Sequence, residues 1–204
     1  MKTIANIGIT GGIGSGKSFV CEMLAQKGIR IYYADVRAKN LLENDPNLVA
    51  QVKYLLGEKS YFENGLANRS YIASQVFSNQ DTLNKLNAII HPATIQDFEQ
   101  WKQLVPREYP WNFQCKEAAI LFESGTDKGL DAVVCVSAPE EIRIQRVEQR
   151  DGLTRQQILD RMQKQLPESE RIARSQYILN NDGIEDIATQ VNQLISQLQT
   201  RFGS

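Results

Sequence analysis

The run Gly11-Gly12-Ile13-Gly14-Ser15-Gly16-Lys17-Ser18 satisfies the pattern G-x-x-x-x-G-K-S. Glycines let the backbone curl so that successive N–H groups converge on phosphate oxygens, and the positive end of a following helix adds to the attraction. On this reading Gly12, Ile13, Gly14, Ser15 and Gly16 wall a nucleotide site, Lys17 reaches the β- and γ-phosphates, and the Ser18 hydroxyl ligates Mg2+. A plain glycine-rich turn is the alternative. The flanks argue against it, because Ile4 to Thr10 reads as a strand and Lys17 to Lys27 carries a helical apolar pattern. Phosphate binding alone does not choose between a switch, a motor and a small-molecule kinase. The chain contains no Asn-Lys-x-Asp, the base-recognition tetrapeptide of common GTP switches.

Asp35 falls at the expected carboxyl end of a second strand, where open α/β sheets place their ligands. A carboxylate there can accept a hydrogen bond from a substrate hydroxyl and take its proton. It can equally cap the helix that follows. Arg143, Arg146 and Arg150 recur at spacings of three and four, so on a helix they share a face. Closed over a transferring phosphoryl group, their planar guanidinium groups would match its spreading charge. With Glu140, Glu141 and Glu148 interspersed, the same pattern also fits a solvated, salt-bridged surface. Arg161 and Lys164 extend the basic segment.

These side chains need a frame. Strand, loop and helix from Ile4 to Lys27 are followed by strand Ile29 to Tyr33 and a helix after Asp35, and two such units in a row imply a parallel sheet. From Asp45-Pro46 the character turns helical, with Gly57 as a stop and helices expected at Arg69 to Phe77, Thr82 to Ile90 and Pro92 to Leu104. Val105 to Asn112, with Pro106 and Pro110, reads as a loop. Strands return at Cys115 to Phe122, Asp131 to Val136 and Tyr177 to Leu179, helices open at Pro139 and Thr154, and Ile184 to Leu198 closes the chain. The expected organisation is one α/β chain of the P-loop NTPase type, with a doubly wound, five-stranded parallel sheet. Its core spans 1–44, 113–138 and 175–204, interrupted by a helical substrate-binding insertion at about 45–112 and a lid at about 139–174.

Composition narrows the function further. The 204 residues carry 23 Lys plus Arg against 24 Asp plus Glu, too balanced to hold a polyanion, so nucleic acid is not expected as a partner. Three widely spaced cysteines with no C-x-x-C pair, and one histidine far from any cysteine cluster, argue against the about four clustered ligands of a structural zinc. No stretch reaches the roughly 18 apolar residues of a membrane helix, and no targeting run opens the chain, so a cytoplasmic protein is expected.

At this point the chain resembles one family, dephospho-coenzyme A kinase, with its nucleoside-monophosphate-kinase-like fold. The run Ile-Gly-Ile-Thr-Gly-Gly-Ile-Gly-Ser-Gly-Lys-Ser at 7–18 resembles that family's phosphate loop, with Phe19 in place of the usual threonine and expected to face helix packing. Tyr33-Ala34-Asp35 resembles its D-A-D turn, and Leu86 to Pro92 its helical segment ending in His-Pro. Ala119 to Glu123 resembles its P-L-L-F-E strand end. Gln145-Arg146-Val147, Arg150-Asp151, Thr154, Arg161-Met162 and Gln165 resemble its lid signature, and Ile178 to Gly183 its last strand and asparagine turn. Ser175-Gln176 stands where Ala-Asp is common.

The resemblance implies transfer of the γ-phosphate of Mg-ATP to the ribose 3′-hydroxyl of dephospho-coenzyme A. It makes Asp35 the base, Lys17 a catalytic cation, Arg146 the lid arginine on the phosphates, and Asn181 a neighbour of the adenine. Asp35, Arg69, His91, Glu123 and Arg150 are then the acceptor-side set, although His91 also fits a structural role before Pro92 and Glu123 a strand end. ATP, Mg2+ and dephospho-coenzyme A are the implied ligands, with a monomer favoured. A kinase of another small hydroxyl acceptor is the near alternative, and a nucleotide-dependent switch the distant one.

Overall fold

The computed structural model describes residues 4–77 and 79–203, so the outermost residues of the expected core segments, 1–3 and 204, lie outside it. The strands are β1 (Ala5–Thr10), β2 (Ile31–Tyr33), β3 (Phe113–Glu117), β4 (Ala132–Ser137) and β5 (Tyr177–Asn180). The helices are α1 (Lys17–Gln26), α2 (Ala34–Asn44), α3 (Pro46–Leu56), α4 (Arg69–Phe77), α5 (Gln80–Gln103), α6 (Glu140–Asp151), α7 (Arg155–Met162), α8 (Glu168–Ala173) and α9 (Ile187–Phe202). The strands form the expected five-stranded, all-parallel sheet in the order β2-β3-β1-β4-β5.

Every residue of β1 except Asn6 is buried, as befits a central strand covered on both faces. It runs beside β3 from Ala5↔Phe113 to Ile9↔Glu117 and beside β4 from Ile7↔Ala132 to Thr10↔Cys135. On one face Ile7, Ile9, Val134 and Val136 pack with Val20, Cys21 and Leu24 of α1 and with Val191, Leu194, Ile195 and Leu198 of α9. On the other, a Cβ at Gly8 would stand 2.8 Å from the side chains of Leu121 and Leu130, so the missing side chain makes room for both. The carboxyl end of β1 thus emerges where the strand order reverses, which is where such sheets bind ligands.

Local signals set several element ends. The Asp45 carboxylate accepts from the N–H groups of Asn47 and Leu48 at 2.9 and 3.1 Å, with Pro46 in the first turn. Thr154 and Gln157 form a reciprocal capping box on α7. Asp186 caps α9, which starts at Ile187, three residues later than the pattern suggests.

Two expectations change. The helices at Thr82 to Ile90 and Pro92 to Leu104 are one continuous α5, with Pro92 inside it. Proline there removes only the bond to the Ala88 carbonyl, and apolar packing through Leu86, Ile89 and Ile90 outweighs that loss. The strand expected at Cys115 to Phe122 ends at Glu117. Ala118 donates its N–H to the Ile9 carbonyl, after which Ser124 and Thr126 bond back to Ile120 and Leu121 in consecutive turns. Leu121 and Phe122 are buried there by folding over rather than by pairing.

The chain divides into two compact units. One comprises Met1–Tyr33 and Arg107–Ser204 and holds the sheet; the other is Ala34–Pro106. In the second, Val52, Leu56, Tyr61, Ala67, Ile72 and Leu86 form a separate core. Arg37 on α2 makes a two-point ion pair with Asp97 on α5, one bond being Nε to Oδ2 at 2.8 Å.

Candidate active site

The loop after β1 is shaped from both sides. Gly14 and Gly16 have φ of 77° and 95°, a region where side chains are strained. A Cβ at Gly14 would lie 2.4 Å from the carbonyl oxygen of Arg143, and one at Gly16 would lie 2.0 Å from Nδ2 of Asn181. Glycine is therefore required by the protein's own packing, independently of any phosphate. Gly16 precedes α1 without a side-chain cap, leaving the first-turn N–H groups of that helix to attract an anion. The Lys17 ammonium, buried, donates to the carbonyls of Gly11 at 2.8 Å and Gly12 at 3.2 Å. The Ser15 hydroxyl is buried with no hydrogen-bond partner among the described residues. Ser18 is exposed, and so is Phe19, 51% of it open to solvent rather than packed as the sequence suggested.

Three guanidinium groups gather at this loop. Arg143 and Arg171 are buried, and both reach Gly12: a Cβ there would stand 2.2 Å from Nη1 of Arg143 and 2.8 Å from Nη2 of Arg171. Arg143 Nη2 pairs with Glu168 Oε2 at 2.9 Å, and that carboxylate also accepts from the Ser137 hydroxyl. Arg171 Nη1 donates to the Leu166 carbonyl, and burial pulls its pKa below the ordinary arginine value. Arg146 Nη2 lies 3.4 Å from Asn181 Oδ1, a long contact. The Nε atoms of Arg143 and Arg171 and Nη1 of Arg146 are buried and have no partner among the described residues. Such unmet donors are costly unless an acceptor arrives. Four cationic side chains around this loop and the uncapped first turn of α1 fit a polyphosphate. Burial lifts the pKa of the nearby Cys135 thiol to about 11, against the lowering effect of Arg171, Lys17 and Arg143.

The other expected residues divide between the two units. Arg150 follows Arg143 and Arg146 along the same side of α6, but at the end of the helix it is exposed and bonded to its neighbour Asp151, Nε to Oδ1 at 2.7 Å. Asn181 lies on the phosphate loop itself, its Nδ2 donating to the Ser15 carbonyl at 2.9 Å. Glu123 accepts the Leu166 N–H at 2.8 Å. In the second unit, Asp35 is the second residue of α2, inside the helix rather than at its capping position, and is exposed. Arg69 opens α4 and pairs with Glu43 at 2.8 Å. His91 lies mid-way along α5, not at a helix start, and burial lowers its pKa. Arg171 was not legible as a site residue, because nothing in its neighbourhood in the chain distinguishes it from other surface-type arginines. Among the described residues no group of three His, Cys, Asp or Glu side chains could hold a metal ion.

Comparison with known proteins gives the chain relatives along nearly its whole length. The family model described as CoaE, dephospho-CoA kinase, matches residues 5–186. The chain is 39% identical over 180 residues to the dephospho-CoA kinase of Salinibacter ruber, covering 88% of this chain and 90% of that protein. It is also 39% identical over 199 residues to the dephospho-CoA kinase of Chlorobaculum tepidum, covering 95% of each. The crystal structure of TT1252 from Thermus thermophilus superposes with a TM-score of 0.85 at 31% identity, over 96% of this chain and 98% of that one.

Proposed function

The chain belongs to the dephospho-CoA kinase family, and from that premise we infer that it transfers the γ-phosphoryl group of ATP to the ribose 3′-hydroxyl of dephospho-CoA, giving CoA and ADP. The observation that carries the reading at the level of the site is the set of buried, unmet guanidinium donors facing a loop of the G-x-x-x-x-G-K-S type. Loop N–H groups and Lys17 hold the β- and γ-phosphates. Lys17 exchanges its carbonyl partners for phosphate oxygens, and Arg146, with Arg143 and Arg171 behind it, stabilises the charge that spreads over the transferred group. Ser18, with the nucleotide, would hold Mg2+, which would neutralise charge at the phosphates. Asp35 accepts the proton of the 3′-hydroxyl as its oxygen attacks the γ-phosphorus and the bond to the β-phosphate oxygen breaks. Arg69, His91 and Glu123 are the acceptor-side candidates, Arg150 being taken up by Asp151, and Asn181, 3.4 Å from Arg146, borders the nucleotide.

Among the described residues no helix is long and apolar enough to cross a membrane. Three free cysteines, all buried, suit a reducing cytoplasm, and the reading takes the chain as a monomer there. ADP release from Mg-ATP with dephospho-CoA tests the activity, run beside nucleosides, nucleoside monophosphates and a blank without acceptor. Turnover is expected with dephospho-CoA alone; turnover only with another acceptor would overturn the substrate. Asp35→Asn should lower kcat by about 10²- to 10⁴-fold while leaving ATP binding intact, and unchanged turnover would remove Asp35 from its role.

A further inference from the structure

Ile13 is the one loop residue whose side chain points away from the phosphate site and into the lid. It packs on Ile144, Val147 and Ile158, together with Leu153, Leu159 and Met162. Its N–H donates to Oε1 of Gln165 at 2.9 Å, and Gln165 Nε2 reaches the Ala119 carbonyl at 3.5 Å. The next residue, Leu166, gives its N–H to Glu123 Oε1 at 2.8 Å and its carbonyl to Arg171. The Gln165 side chain is therefore held between the phosphate loop and the turn after β3, with its own backbone tied down on the far side.

The Ile13 N–H belongs to a planar unit whose other end is the Gly12 carbonyl. That carbonyl accepts from Lys17 Nζ at 3.2 Å and from the Ser15 N–H at 3.1 Å. Turning the plane would move both contacts together. We propose that Gln165 is a positioning residue for phosphoryl transfer, fixing the Gly12–Ile13 peptide plane and through it the place from which Lys17 meets the phosphates. Gln165 touches no substrate in this scheme, and the inference rests on the kinase reading above.

Because Gln165 is only half-buried, its replacement should leave the fold intact. Gln165→Met keeps the length and removes the hydrogen bond. In steady-state assays it should lower kcat/KM for ATP about tenfold, the usual size of one net hydrogen bond, with KM for dephospho-CoA within about twofold. A double-mutant cycle with Lys17→Met, read by calorimetric binding of a non-hydrolysable ATP analogue with Mg2+, tests the route. Gln165→Met should weaken binding about tenfold when Lys17 is present and less than about twofold when it is absent. A full loss in both backgrounds would overturn the route through Lys17. No loss in either, or equal losses in both KM values with a lowered Tm, would overturn the positioning role itself. A parent chain that binds neither the analogue nor ATP would instead fail the kinase reading, an outcome the two variants cannot mimic.

Discussion

The phosphate loop at 11–18 and the guanidinium group of Arg143, Arg146 and Arg171 present nitrogen donors to the same place, but they are assembled differently. The loop is contiguous: its donors are backbone N–H groups whose directions follow from glycine conformations and from the helix that begins at Lys17. The guanidinium group is collected from α6 and α8, and its donors are side chains held by Glu168, by the Leu166 carbonyl and by Asn181. Each depends on the other. Gly14 is pressed by the backbone of Arg143, and Gly16 by Asn181. A pattern usually explained by phosphate is equally a record of what packs behind it.

Within this comparison Lys17→Ala should have the largest effect: a loss of kcat of about 10²- to 10³-fold, as for removal of one preorganised transition-state donor. The melting temperature should hold, and a large fall in it would mark the lysine as a structural clasp for the Gly11 and Gly12 carbonyls instead. Arg146→Ala should cost about 10²-fold by the same measure, because its Nη1 is already buried and unmet. Arg150→Ala separates the two ends of α6 and should change kcat by less than about twofold, since its partner is the exposed neighbour Asp151. Equal effects at 146 and 150 would place Arg150 among the phosphate-side groups as well.

Gly14→Ala probes the dependence of the loop on α6. A positive φ and the Arg143 carbonyl both oppose a methyl group there, so chemical denaturation should show a loss of about 1–3 kcal/mol, with nucleotide affinity falling as well. An unaltered denaturation midpoint would free the loop from its packing.

The smallest expected effect lies in the second unit. Burial holds His91 below its ordinary pKa of 6.5, so the folded chain binds fewer protons than the unfolded chain as pH falls through that value. Its contribution makes the fold less stable at about pH 5.5 than at about pH 7.5. His91→Gln should flatten that part of the urea midpoint curve; an unchanged slope would place the titration elsewhere.

Legibility followed distance along the chain. Strand β1, the loop and α1 were readable because every constraint on them, alternation of apolar residues, glycine and the following helix, lies within about one element. Asp45-Pro46 and Gly57 marked the ends of α3 for the same reason. The end of β3 was not readable, because Leu121 and Phe122 are as apolar as strand residues and only the lack of a pairing partner past Glu117 turns the chain. Pro92 suggested a break that packing along α5 overrides. Arg143, Arg146 and Arg150 were identical by spacing, and only their neighbours divide them into a buried ion pair, a half-buried donor and a surface arginine.

Sequence alone determined the chemistry on offer, a phosphate loop with its lysine and serine, and a parallel sheet to hold it, since these depend on residue types at fixed short spacings. Tertiary structure decided which side chains converge on that loop. Arg171 and Gln165 lie more than a hundred residues from Gly12 and Ile13 in the chain, and a contact across that separation is set by how the sheet orders its strands and by which buried charges find partners.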